Sequence, residues 1–257
     1  MTFPLGPAGS SRECPTNVSL AVVLQIRAGL LQALLWERAR EPFLGAWSLP
    51  GGYLEPGETL EQSIRRHLAE KVDVRELAHL EQLETLSEAS RNPLDWELAT
   101  AYLGLVPADV DPEVPEDTRW HPVSRLPELA FDHRATVLAG RDRLRAKLSY
   151  TNIGFALASP VFTISELREI YVAALGHEVS ATNLQRVLLR RGVLEPTGEK
   201  REPGRAGGRP AACYRFRSRP ASANAPWSKA VRGRESTGCQ RVSSGTAGSS
   251  PVRTRPR

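Results

Sequence analysis

WSLPGGYLEPGETLEQSIRRHLAEKVDV, residues 47–74, is the stretch that decides the fold. An apolar opening turns at Pro50-Gly51-Gly52, loops through Glu55-Pro56-Gly57-Glu58 and then enters a helix. Thr59 is placed to cap that helix, and Glu61 and Gln62 fall in its first turn, where the helix dipole favours acids. Neither Gly nor Pro interrupts before Val74. Leu60, Ile64 and Leu68 recur every four residues and predict one buried stripe. His67, Glu70 and Lys71, at spacings of three and four, share a different face.

These residues resemble the Nudix box, in which a Gly, a Glu six positions later and an Arg-Glu-rich helix follow one another in fixed register. Gly52, Glu58, Arg66, Leu68, Glu70 and Val74 occupy matching places. Three positions depart: His67 and Lys71 stand where the family carries glutamates, and Asp73 where it carries Gly. The resemblance implies a Nudix α/β/α sandwich with a mixed sheet. In active relatives the helix glutamates hold Mg²⁺ or Mn²⁺ against a diphosphate. Hard cations take oxygen ligands, and here an imidazole and an ammonium replace two of them. Glu58 and Glu70 are the oxygens left for a metal, and Lys71 would repel a divalent ion beside Glu70. No catalytic set is intact. His67 reads as a surface residue rather than a ligand.

A chain of 257 residues has ample length for one or two domains. Cys14, Cys213 and Cys239 are odd in number and lack metal spacing, which points to a reducing cytoplasm. No apolar run reaches the roughly 20 residues that span a bilayer, and the start does not read as a signal peptide. The net charge of +5 is divided unevenly: −6 over residues 1–150, +4 over 151–217 and +7 over 218–257. An acidic front and a basic back predict a polyanionic partner for the back alone.

Outward from the box, residues 18–26 and 30–37 predict a hairpin turning at Arg27-Ala28-Gly29. Residues 77–86 and 98–106 alternate as strands around a polar loop containing Arg91-Asn92-Pro93. A short strand is expected near Trp120, and a helix over 131–148 with Asp132 as its cap. Thr163-Ile164-Ser165-Glu166 is a capping-box pattern opening a helix that stops at Gly176. A second helix follows, capped by Ser180 or Thr182 and stopped by Gly192, with Leu184, Val187 and Leu188 turned inward. Short strands at 193–195 and 213–216 flank a loop carrying Lys200, Arg201, Arg205 and Arg209. Two helices followed by a basic hairpin predict a winged helix. A helical pair is often mere packing, but the outward row Asn183, Gln185, Arg186 and Arg190 offers base-edge and phosphate contacts.

Together the two parts resemble the Nudix-related transcriptional regulators of NAD metabolism. The likeness extends beyond the box, through Leu80-Glu81-Gln82-Leu83-Glu84-Thr85, Arg91-Asn92-Pro93, Phe131-Asp132-His133 and Phe162-Thr163-Ile164-Ser165-Glu166-Leu167. It implies a homodimer that binds double-stranded DNA under the control of ADP-ribose or a related nucleotide, with Arg66, Glu70, Lys71 and Arg91 facing that ligand. DNA binding would need no cofactor. Mg²⁺ would enter only if the chain were instead a Nudix hydrolase of the ADP-ribose pyrophosphatase kind, with the winged helix as an accessory. The expected divisions are a loose start at 1–16, a Nudix domain at 17–150, a winged helix at 151–217 and a disordered basic tail at 218–257, whose composition cannot support a core.

Overall fold

The computed structural model describes residues 15–202 and 210–217. The expected loose start (up to residue 14), the wing-loop residues Arg205 and Arg209, and the expected tail lie outside the described residues.

β1 (Thr16–Arg27) is the axis of the front part, buried without a break from Val18 to Ile26. A strand whose residues alternate faces is apolar throughout only when both faces are covered. Ala21 and Val23 join one core with Ile64 and Leu68 of α1 (Leu60–Lys71). Val22 and Leu24 join another with Val137, Leu144 and Leu148 of α2 (His133–Tyr150). Burial of side chains the size of Ile64 or Leu68 stabilises by about 1.5–3 kcal/mol each. β2 (Leu30–Glu37) returns antiparallel after Ala28 and Gly29, both at positive φ, as a two-residue hairpin turn requires. On the opposite edge β6 (Glu97–Leu105) runs parallel to β1, and β5 (His79–Leu86) pairs antiparallel outside it. β7 (Thr118–Pro122) closes the far side of β2.

The box is set into this sheet as a wedge. β1 pairs with β2 only near the hairpin, over Leu24–Arg27; further back, Val18–Leu20 pair instead with β4 (Gly51–Tyr53). β3 (Trp47–Ser48) pairs with the far end of β2. The Ala21 amide donates to the Pro50 carbonyl at 2.9 Å, and Leu49 is fully buried at the tip. A Cβ at Gly51 would fall 2.1 Å from the Ser19 carbonyl oxygen, so only glycine lets the two backbones approach.

In the back part, α3 (Ile164–Leu175) opens on a full Thr163–Glu166 capping box and stops at Gly176 in the left-handed conformation. Leu167, Ile170, Tyr171 and Ala174 are all buried. α4 (Ala181–Arg190) is capped by Ser180 and buries Leu184 and Leu188, with Val187 half-buried. β9 (Leu194–Arg201) extends six residues beyond the expected strand end, and Pro196 is tolerated because β9 is an edge. β10 (Ala211–Phe216) sits between β9 and a two-residue strand, β8 (Phe162–Thr163), which carried no pattern of its own. One continuous core runs from β1 and α2 through Ile153, Leu157 and Phe162 into α3 and α4, so Nudix and winged-helix parts share it. Asp132 precedes α2 but makes no side-chain cap bond, because its carboxylate is taken by Arg91. Among the described residues no helix is long and apolar enough to cross a membrane.

Candidate functional site

Thr59 caps α1 in a reciprocal pair with Gln62, which fixes the helix start against the box loop. Arg66 then reaches back along that loop. Its Nε and Nη2 donate to the two oxygens of Glu58 at 2.6 and 2.9 Å, and Nη2 also donates to the Tyr53 carbonyl. Glu55 and Glu70 lie 3.4 and 3.5 Å from its Nη1. Hydrogen bonding from Arg66 holds the Glu58 carboxyl down at about 2, and the same bond raises the Arg66 guanidinium. Arg66 is therefore a clamp on the loop, and Glu58 is the acid it grips.

His67 is not on the surface. It is 6% exposed, and its Nε2 donates to the Tyr53 carbonyl at 3.0 Å. The ring lies against Gly52, where a Cβ would meet Cε1 at 2.5 Å and Nε2 at 2.7 Å. Burial lowers the imidazole's pKa and keeps it neutral, leaving a buried Nδ1 without a partner. Lys71 turns toward β4. Its Nζ donates to the Gly51 carbonyl at 2.6 Å and stands 4.9 Å from the centre of the Trp36 ring. Asp73 keeps a left-handed backbone, φ 50°, at the place where relatives use Gly; a short polar side chain tolerates it.

A divalent ion needs several unencumbered oxygens. Glu58 is committed to Arg66, His67 spends its N–H on a carbonyl, Lys71 is a cation, and the exposed Glu55 and Glu70 both lie against the Arg66 guanidinium. These residues do not fit a Mg²⁺ cage, and no group of acids, His or Cys among the described residues forms one elsewhere.

Arg91 is turned inward. Its side chain is 3% exposed, with Nε between both oxygens of Asp132 (2.9 and 2.8 Å) and Nη1 3.9 Å from buried Glu97. It ties the loop before β6 to the start of α2. Tyr53 donates its hydroxyl to Glu97 at 3.1 Å. Two basic residues that sequence reasoning passed over follow β2: Arg40 is exposed, and Arg38 donates Nε to the Pro42 carbonyl at 2.8 Å and lies 4.7 Å from the centre of the Phe131 ring. Their only signal was a basic pair at the end of a hairpin strand in an otherwise acidic half.

On the winged helix, Asn183, Arg186 and Arg190 form one exposed row along α4, at spacings of three and four. Arg186 donates to the Asn183 side-chain oxygen at 2.8 Å, which holds both heads together. Gln185 does not belong to this row: it is half-buried and donates to the Tyr214 hydroxyl of β10 at 2.8 Å. Lys200 is exposed on β9. Arg201 pairs with Glu166 and donates to the Val161 carbonyl, bracing the wing against the start of α3.

The NUDIX domain family matches residues 16–139, and the NrtR DNA-binding winged helix domain family matches residues 154–216. The chain is 31% identical over 201 residues to the ADPR responsive transcriptional repressor NtrR of Acinetobacter baylyi, covering 76% of this chain and 79% of that one. It is 30% identical over 120 residues to an ADP-ribose pyrophosphatase of Methanocaldococcus jannaschii, over 44% of this chain and 66% of that one. In three dimensions it resembles Shewanella oneidensis NrtR crystallised with a 27mer DNA, with 34% identity, a TM-score of 0.65, and coverage of 78% of this chain and 93% of that one. A Nudix domain with a degenerate box, joined through a common core to a winged helix, places the chain in the NrtR family of Nudix-related transcriptional regulators.

Proposed function

We propose that this protein is a DNA-binding transcriptional regulator whose Nudix domain senses ADP-ribose or a closely related nucleotide. The observation that carries the reading is the exposed Asn183–Arg186–Arg190 row on α4, beside a basic wing, in a chain of this family. Arg and Asn offer bidentate contacts to guanine and adenine edges in the major groove, and Lys200, exposed on β9, suits a phosphate. The relatives named as an ADPR responsive repressor and crystallised with DNA support both halves. A homodimer placing one winged helix on each half-site of a palindrome suits the fold, and genes of NAD metabolism are the proposed targets in the cytoplasm.

The donor set around Glu58 and Glu70 supports sensing over turnover, since hydrolysis of a diphosphate calls for a metal to polarise it and to activate water. β1 offers the physical link between the two parts. Its first half holds the Gly51–Gly52 wedge, and its hairpin packs against α3. Ligand pressing on the wedge would be felt at the winged helix through a strand buried on both faces. Nuclease protection of the DNA upstream of the protein's own gene tests the reading. A protected tract with two-fold symmetry is expected; uniform cleavage at every protein concentration contradicts it.

A further inference from the structure

We propose that α2 carries ligand occupancy from the Nudix wedge to the winged helix, and that Arg145 and Arg191 are the positioning residues through which it holds α3 and α4. This rests on the ligand-sensing reading above. The helix is tied to the box at its start. The Leu49 amide, at the tip of the wedge, donates to His133 Nδ1 at 3.1 Å. Arg91 grips Asp132, the residue that leads into α2, at 2.8 and 2.9 Å. Along its middle the helix lies directly on β1: a Cβ at Gly140 would fall 2.7 Å from Val22 Cγ1. Leu144 and Leu148 then continue into the core shared with Leu167 of α3 and with Leu184 and Leu188 of α4. Its 18 residues span about 27 Å.

At its far end α2 meets both helices of the winged helix through helix-end carbonyls. The last carbonyls of an α-helix lack partners within it and attract cations. Arg145, half-buried, donates Nε to the Ala174 carbonyl of α3 at 3.1 Å. The missing side chain of Gly176 leaves room for its Nη2, which a Cβ there would meet at 2.7 Å. Arg191, directly after α4, donates Nη2 to the Ser149 carbonyl of α2 at 2.7 Å. It adjoins the row that offers Arg186 and Arg190 to DNA. β1 reaches α3 through its hairpin, whereas α2 is bonded to the end of α4 itself. A helix shift of about 1–2 Å is ordinary in switches. It would take the Arg191–Ser149 bond from 2.7 Å beyond the roughly 3.5 Å at which it ceases to hold. Movement at the wedge is thereby converted into release or recapture of one end of the recognition helix.

Anisotropy titration of the full-length protein on DNA from upstream of its own gene, at zero and saturating ADP-ribose, tests this as a ratio of two affinities. The unmodified protein should show a ratio of about 5- to 150-fold. Arg145→Met and Arg191→Met should each cut that ratio by about threefold or more, while calorimetry finds ADP-ribose binding within about twofold of the unmodified protein. Arg191→Lys, which keeps a donor for Ser149, should restore the ratio. Variants that weaken DNA binding equally with and without ligand leave the ratio unchanged, and that result overturns the assignment of these two residues. In the unmodified protein, ADP-ribose should alter amide exchange over residues 145–151 and 187–193. Protection unchanged there, alongside a ligand effect on DNA, overturns the inference however the variants behave and leaves ligand sensing intact. No ligand effect in the unmodified protein removes the sensing reading and the inference with it.

Discussion

Gly52→Ala tests the packing at the centre of the box. An added methyl would sit 2.5 Å from His67 Cε1, 2.7 Å from Nε2 and 3.0 Å from Nδ1, all three the same ring. The ring cannot swing aside freely, because it is buried and bonded to the Tyr53 carbonyl at 3.0 Å. Overpacking of this kind costs about 1–3 kcal/mol, and loss of the hydrogen bond would add about 0.5–1.5 kcal/mol. In a His67→Ala background the obstruction is gone, and the same Gly52→Ala change should cost under about 0.5 kcal/mol, as at an unstrained site. A double-mutant cycle therefore predicts a coupling of about 1–3 kcal/mol between the two positions. Urea unfolding followed by tryptophan fluorescence measures it. Equal costs of Gly52→Ala in both backgrounds would refute the buried-imidazole arrangement.

Burial, with help from Arg91 and Arg38, pushes the His133 imidazole down to about 3, and its Nδ1 accepts from the Leu49 amide. A histidine whose folded pKa lies below its unfolded value leaves stability intact above about pH 6.5. As pH falls from there toward 3 the unfolded chain takes the proton first, and up to about 5 kcal/mol is lost; His133→Gln should flatten the urea midpoint over that window, and an unchanged slope counts against the assignment. On DNA, Arg186→Ala should cost about 1–3 kcal/mol at the preferred site and little on random sequence. Gln185→Ala should instead loosen the wing and lower the melting temperature; a loss of sequence preference without loss of stability would return Gln185 to base reading. With Mg²⁺, the protein should release AMP from ADP-ribose far below about 1 s⁻¹; chromatography showing enzyme-like turnover would reverse the reading of the box.

Much of the fold was legible because periodicity and caps are local properties. Leu60, Ile64 and Leu68 named the buried face of α1, the run from Leu30 set β2, and Thr163–Glu166 fixed the start of α3. What escaped depended on partners distant in the chain. His67 looked exposed because its burial comes from Gly52, on a strand 15 positions earlier. Asp132 had the chemistry of a cap, but Arg91, 41 residues away, claims its carboxylate. Gln185 falls on the outer side of α4 until β10 brings Tyr214 to it, 29 residues later. β8 is two residues long and exists only by pairing with β10. The family's box pattern pointed to Arg66, Glu70 and Lys71, while nothing in it marked Arg38, which covers the Phe131 ring from just beyond the end of β2.

The central claim is that a nucleotide in the Nudix domain controls DNA binding by the winged helix. Fluorescence anisotropy of the full-length protein on DNA from upstream of its own gene, with excess random competitor, measures this at zero and saturating ADP-ribose. Sequence-specific binding whose affinity changes by about 5- to 150-fold with the ligand is predicted, the range of ordinary allosteric coupling. Specific binding that ADP-ribose leaves unaltered, or no binding beyond that to random DNA, would contradict it.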